Sequence, residues 1–344
     1  MSTNAELDWT DGLAPQLDLP DTSGEYPELH EAIWTWGYDP VSRVGYRLYL
    51  ISEHDDHDIR IGRVSLHLPD GRILGGEAPG KGSGGATARG GGASLECVEP
   101  FRTWRVSFQG QLAERPWYDS SVAAYSEQVK GIEAAPGSVD VDLSFTMEAA
   151  APAWNVEGTW GEKPPNLRFQ HLYRMRDGAL RVGGQSWPLA GSLFRGHSRR
   201  YRDHSAYTGH VLATALFEGG RAFGTYCFRS GPAEPVHDPA IMRRPYGYVI
   251  LDGQRHHAEL QSFPIMGDPQ RSGESLRLEL VGDFGSVGID ATTVSMNWSR
   301  TVMGGTEMLA REGYVRYEWD GETSYGVLQH WHPAELSSMA KAGN

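Results

Sequence analysis

Cysteine is nearly missing from this 344-residue chain: Cys97 and Cys227 are the only two, far apart and in unrelated local contexts. That excludes a disulfide framework and a cysteine-based zinc site. Long apolar runs are missing too, and the N-terminus MSTNAELDWTDGLAPQLDLP has neither a basic start nor an apolar stretch. No membrane span and no secretion signal are therefore expected, and the cytoplasm is the expected compartment. Basic charge is scarce and scattered, with 31 Lys and Arg against 44 Asp and Glu for a net charge of −13, which excludes a nucleic-acid surface. Helical periodicity is confined to one stretch, Tyr118 to Lys130, with Asp119 or Ser120 as its cap. No GxSxG elbow and no HExxH helix occur, so neither hydrolase chemistry nor a metalloprotease centre is indicated.

What is present is strand and turn. Asp70-Gly71, Asp177-Gly178, Asp252-Gly253 and Asp320-Gly321 each separate short segments rich in β-branched and aromatic residues, the pattern of tight hairpin turns. In GYVRYEWDGETSYGVLQHWH, Val315, Tyr317 and Trp319 alternate with Arg316 and Glu318, so one face is apolar and the other wet. The 43 glycines supply turns and bulges. The expected class is all-β, antiparallel, with little helix, as two barrels or sandwiches packed together. Residues 1–24 are expected to run as an extended segment over the surface, 25–188 and 189–336 to form the two β domains, and 337–344 to be a tail. The boundary is placed where Gly and Pro cluster around Trp187-Pro188-Leu189-Ala190-Gly191.

Several motifs resemble sites by letter only. Gly80 to Gly85 satisfies a dinucleotide fingerprint, but no helical period follows it, so a mobile glycine-rich loop is expected. Glu53-His54-Asp55-Asp56-His57-Asp58 has metal-ligand residue types, yet it lies between two strand patterns and reads as a solvated hairpin loop. His330 and His332 flank Trp331, so in a strand both imidazoles share one face, as a ligand contact or a polar barrel rim.

The densest polar run is Gly196 to Gly209, GHSRRYRDHSAYTG. Arg202, Asp203 and His204 stand in a row there, and two readings stay open: an ion pair with a carbonyl-bound imidazole, or a barrel-mouth site in which desolvation keeps Asp203 protonated. A second loaded segment runs from His30 to Asp39. Trp34, Trp36 and Tyr38 share one face of a strand, as a core or as an aromatic wall, and Glu31 at its start is the candidate for a second carboxyl.

Glu31 with its aromatic strand ending in Tyr38-Asp39, the segment Arg202-Asp203-His204-Ser205, and the terminal GYVRYEWDGETSYGVLQHW hairpin together resemble the carotenoid 1,2-hydratase (hydroxyneurosporene synthase) and AttH-like superfamily. Where many relatives continue that segment with Trp-Gly, this chain has Ala206-Tyr207. The resemblance implies two lipocalin-like β halves over residues 26 to 335. The expected activity is a cofactor-independent lyase or hydratase using acid–base catalysis at a C–O bond of a bulky hydrophobic terpenoid or aromatic molecule. Asp203 is the expected acid, His204 and Tyr207 relay or orient, Glu31 is the second acid or base, and Arg202 holds an oxygen. Trp34, Trp36, Tyr38 and His330 are the expected substrate contacts. No metal or organic cofactor is expected; the partner is a hydrophobic small molecule, with no nucleic acid, and a homodimer is compatible with the chain. A carrier without turnover and a shape-guided isomerase or cyclase are the alternatives.

Overall fold

The computed structural model describes residues 8–21, 29–52, 59–114, 137–156, 166–200, 207–229, 242–243, 245–261, 263, 272–303 and 305–336. A first antiparallel sheet holds β1 (His30–Asp39), β2 (Val44–Ser52), β3 (Arg60–His67), β4 (Ile73–Gly80), β5 (Thr87–Gly90), β6 (Ala93–Glu99), β7 (Thr103–Glu114), β8 (Val139–Ala149), β9 (Trp154–Asn155), β10 (Leu167–Val182), β11 (Gln185–Leu189) and β12 (Ser192–Arg200). Its path β10-β12-β1-β2-β3-β4-β7 is joined end to end by β8, which pairs with both β7 and β10. A second sheet holds β13 (His210–Leu216), β14 (Ala222–Arg229), β15 (Met242–Arg243), β16 (Tyr246–Leu251), β17 (Gln254–Leu260), β18 (Ser275–Gly282), β19 (Gly285–Met303), β20 (Thr306–Trp319) and β21 (Glu322–Pro333). Pairing of β13 with both β14 and β21 closes it into an eight-stranded barrel with β15 outside the ring. The chain is all-β as expected. Among the described residues no helix is long and apolar enough to cross a membrane.

Alternation along the strands decides where each core sits. On β1 the odd positions turn into the first barrel, where Ile33 joins Tyr46, Leu48, Leu66, Trp104 and Leu143. Its even positions Ala32, Trp34, Trp36 and Tyr38 turn outward and meet Leu212, Leu216, Tyr226, Tyr248, Tyr314 and Val327 of the second barrel. The second barrel is filled by Val211, Phe223, Val249, Leu278, Tyr317 and their neighbours. Packing on both faces leaves β1 and β13 buried along nearly their whole length.

Three expectations need correcting. The 188/189 boundary falls inside the first sheet, because β12 is the strand between β1 and β10; the passage to the second barrel comes between Arg200 and His210. The Gly and Pro cluster there makes only the β11–β12 turn, with Gly191 at φ 109°. Asp177-Gly178 is no hairpin either. It forms a bulge inside β10, where the register against β8 shifts between Arg176 and Ala179, whereas Asp252-Gly253 and Asp320-Gly321 do turn, with positive φ at both residues. Finally, the N-terminal segment does not merely cross the surface. The 3-10 turn Pro15–Asp18 carries Asp18 into the first barrel, fully buried. The stretch expected as helix, Tyr118 to Lys130, the acidic loop 53–58 and the tail 337–344 lie outside the described residues.

Asp18 ends there because the barrel offers donors that only an anion satisfies. Arg195 Nη1 at 2.6 Å, the Phe101 amide at 2.7 Å and Trp104 Nε1 at 3.0 Å converge on its carboxylate. Burial opposes its charge most strongly, but Arg195, the Phe101 amide and His197 together outweigh burial and hold it below the usual carboxylate range. Asp18→Ala, which strands Arg195 unpaired, is expected to cost about 3–5 kcal/mol, measurable as a lowered urea midpoint with an unchanged slope.

Candidate active site at the seam between the barrels

The predicted site residues divide among three places. Glu31 sits on the odd face of β1, inside the first barrel. Its carboxylate takes the His197 Nε2–H at 2.8 Å, Arg199 at 3.2 Å, Arg60 and the Asp21 amide. Burial opposes its charge, but the His197 hydrogen bond and the Arg60 and Arg199 cations bring the carboxyl down to about 2. Glu31 is thus a fixed anion facing away from Trp34, Trp36 and Tyr38. His330 lies inside the second barrel, accepting from Arg229 at 2.6 Å and packing on Phe263 and His332. Trp331 points the opposite way, against His210 and Tyr207, so the expected split of His330-Trp331-His332 across the sheet is what the fold produces. Arg202, Asp203 and His204 lie outside the described residues.

The third place is the seam. Trp34 packs on Tyr49 and Phe194, Trp36 meets the edge of Tyr314, and Tyr38 stacks on Tyr325 at 5.6 Å. The backbone makes room for Trp34 at one point: a Cβ on Gly196 would come within 2.1 Å of its indole. Gly196→Ala is therefore expected to displace Trp34 and destabilise the seam by about 1–3 kcal/mol, visible as a red shift of tryptophan emission with a lowered melting temperature. A narrow crevice of about 10 Å³, room for about one water, lies between Trp36, Leu172, Phe194, Thr214, Leu216 and Tyr325.

Beside the aromatic wall runs a hydrogen-bonded chain of residues. The Tyr207 hydroxyl bonds His210 Nδ1, His210 Nε2 meets Gln329 Oε1 at 2.8 Å, and the Gln329 amide nitrogen and Trp331 Nε1 both donate to Glu312. Glu312 in turn pairs with Arg47, whose guanidinium lies 4.8 Å from the Trp36 ring centre. The direction of every proton follows from one end. An ionised carboxylate only accepts, so Gln329 turns its NH₂ to Glu312 and its oxygen to His210. His210 then carries its proton on Nε2, and Nδ1 is left to accept from Tyr207. Burial opposes the charge of Glu312, but Arg47 with the Gln329 and Trp331 hydrogen bonds keeps it ionised, below the usual range. Burial pushes His210 down to about 4, against the pull of Gln329 and helped by the charges of Arg168 and Arg47. At neutral pH the imidazole is a neutral acceptor for the phenol proton.

His210, Gln329, Glu312, Arg47 and Arg168 were not singled out from the sequence. Their only signal was polarity at the outward positions of otherwise apolar strands, since they come from five different strands and the fold alone unites them. Of the predicted residues, Tyr207, Trp34, Trp36 and Tyr38 share this seam.

A model for a domain of unknown function, DUF7064, matches residues 25–334. The chain belongs to that family. No curated protein matches the sequence of this DUF7064 member. Its fold is that of an AttH-like protein of Nitrosomonas europaea, at 15% identity and a TM-score of 0.56, covering 92% of this chain and 99% of the other. Kievitone hydratase from Nectria haematococca has the same fold, at 11% identity, TM-score 0.52 and 96% coverage of both chains. So does CghA, at 10% identity and TM-score 0.52, over 95% and 97%. The DUF7064 chain thus shares the fold of these three proteins.

Proposed function

We propose that the protein is a cofactor-independent carbon–oxygen lyase or hydratase that adds water to, or removes it from, a bulky hydrophobic molecule held in the seam. The observation that carries this reading is the polarised chain Tyr207–His210–Gln329–Glu312 beside an aromatic wall. In the direction of addition, water's oxygen bonds to one alkene carbon while its proton goes to Tyr207 and the phenol proton passes to His210 Nδ1, where Glu312 favours the imidazolium through Gln329; the C=C pair is left on the neighbouring carbon, which takes that proton back through Tyr207. In elimination the same protons run backward and Tyr207 protonates the departing oxygen. Arg202, Asp203 and His204 lie three to five residues before Tyr207 in the chain, and the expected role of Asp203 as acid remains part of the proposal. The hydratase among the fold's relatives fits this reading.

The test is mass spectrometry of hydrophobic alkenes and tertiary or benzylic alcohols incubated with the protein in ¹⁸O-water. A lyase or hydratase gives a product one water heavier, with ¹⁸O in the new hydroxyl, or one water lighter. An isomerase or cyclase gives equal mass, and a carrier returns its ligand unchanged; either result removes the proposal.

A further inference from the structure

The seam face of the first barrel holds polar groups that packing does not explain. Gln170 on β10 is 1% exposed and Ser198 on β12 is fully buried. Among the described residues, neither amide atom of Gln170 nor the Ser198 hydroxyl has a hydrogen-bond partner. Leaving such groups unmet costs about 1–3 kcal/mol each, and a group kept at that cost usually meets something that the protein alone does not supply. Both residues point into the seam. Gln170 pairs across the strands with Gly196, and Ser198 with Arg168 and Ala32; Arg168 itself lies 4.1 Å from the Tyr226 ring centre and 5.7 Å from that of Trp34. Tyr226 in turn is 5.2 Å from the His210 ring, so this patch borders the proton chain.

Gln170 offers a donor and an acceptor, Ser198 a donor, and Arg168 a cation spread flat against rings. That set suits an oxygen that gains negative charge while conjugated to a planar carbon frame. We propose that Arg168, Gln170 and Ser198 form a carbonyl-binding subsite, and that the substrate is an α,β-unsaturated carbonyl compound or its β-hydroxy counterpart. This rests on the hydratase reading of the same seam. Water's oxygen bonds to the β-carbon, and the C=C pair shifts to leave an enolate whose oxygen Arg168 and Gln170 hold. Water's proton goes to Tyr207 as the phenol proton moves to His210, and it is returned to the α-carbon. The product is the β-hydroxy carbonyl compound, with no change of oxidation state beyond hydration and no reactant other than water. Without the subsite the second half of that charge movement has nothing to receive it.

The experiment titrates tryptophan fluorescence with trans-chalcone and with trans-stilbene, which matches its aryl frame but lacks the carbonyl. Chalcone is expected to bind the wild-type protein at least about tenfold more tightly. Gln170→Leu and Ser198→Ala should each erase most of that preference while leaving the stilbene Kd in place. Gln170→Leu should also keep or raise the melting temperature, since it removes unmet polar atoms at similar volume; a residue with only a structural role would show the reverse. Equal affinity for both probes, or a preference that survives both substitutions, overturns the subsite. A chalcone preference lost in both variants, with no water adduct formed by the wild type, upholds the subsite and removes the hydratase reading.

Discussion

Tyr207→Phe is expected to slow turnover by about 10²–10⁴-fold while leaving ligand affinity nearly unchanged. The substitution deletes one oxygen and keeps the ring that contacts Phe228 and Trp331. What it removes is the atom through which the seam exchanges a proton with its occupant. Glu312→Gln, further along the chain, is expected to produce a loss of similar kind. A glutamine there can donate, so the Gln329 amide is no longer forced to face it with NH₂, and the His210 tautomer loses its anchor. With the proton on Nδ1, the ring stops accepting from Tyr207. A fixed carboxylate that selects the tautomer of a neighbouring histidine is worth about 10⁴ in rate where it has been dissected in serine proteases. A Tyr207→Phe protein of undiminished rate would place the chemistry elsewhere and leave the seam a binding surface.

Acid should unfold this protein well before its carboxylates are protonated. Burial lowers His171 to about 3, His210 to about 4 and His332 to about 4, and it lowers His197 and His330 as well. An unfolded imidazole titrates near 6.5. Between pH 6.5 and 4 the unfolded chain therefore binds protons that the native chain refuses, and each imidazole withdraws about 1.4 kcal/mol of stability per pH unit. The three with stated values withdraw about 4 kcal/mol per unit together, against a total of about 5–15 kcal/mol for a typical domain. Stability is fully present above pH 6.5 and lost progressively below it. Glu31, held at about 2 in the fold, adds a further loss only below its unfolded value near 4.5, in the same direction. Urea midpoints at pH 7.5, 6.5, 5.5 and 5.0 should fall steeply across the last three; a flat series would mean these imidazoles are charged in the native state.

The all-β class was legible because its signals are local. The alternation in β21 and the Asp252-Gly253 and Asp320-Gly321 turns each need only a few neighbouring residues. Asp177-Gly178 misled for the same reason: the dipeptide permits a turn, but partners on both sides of β10 hold the strand straight and convert it into a bulge. Trp34, Trp36 and Tyr38 were visible as a shared face, while the surface they face was not, because β13 and β21 are more than 150 residues away. Glu31 looked like an acid in the sequence. One step of strand parity turns it from the seam into the barrel, where three basic side chains bind it. Asp18 gave no signal, since a lone aspartate after a proline turn is ordinary until Arg195 and Trp104 are placed around it.

Each barrel is closed by its own first and last strands: β1 pairs with β12, and β13 with β21. On the ribosome this sets an order of events. His30 cannot meet Arg200 until some 170 further residues have been made, which at about 5–20 residues per second leaves β1 waiting roughly ten to thirty seconds with an apolar strand edge exposed. Pairings across such separations fold slowly and invite association while they wait. The most vulnerable moment in the life of this protein is the interval before its twelfth strand emerges, and nascent-chain pulldowns should find chaperones enriched on chains shorter than about 200 residues plus the length of the exit tunnel.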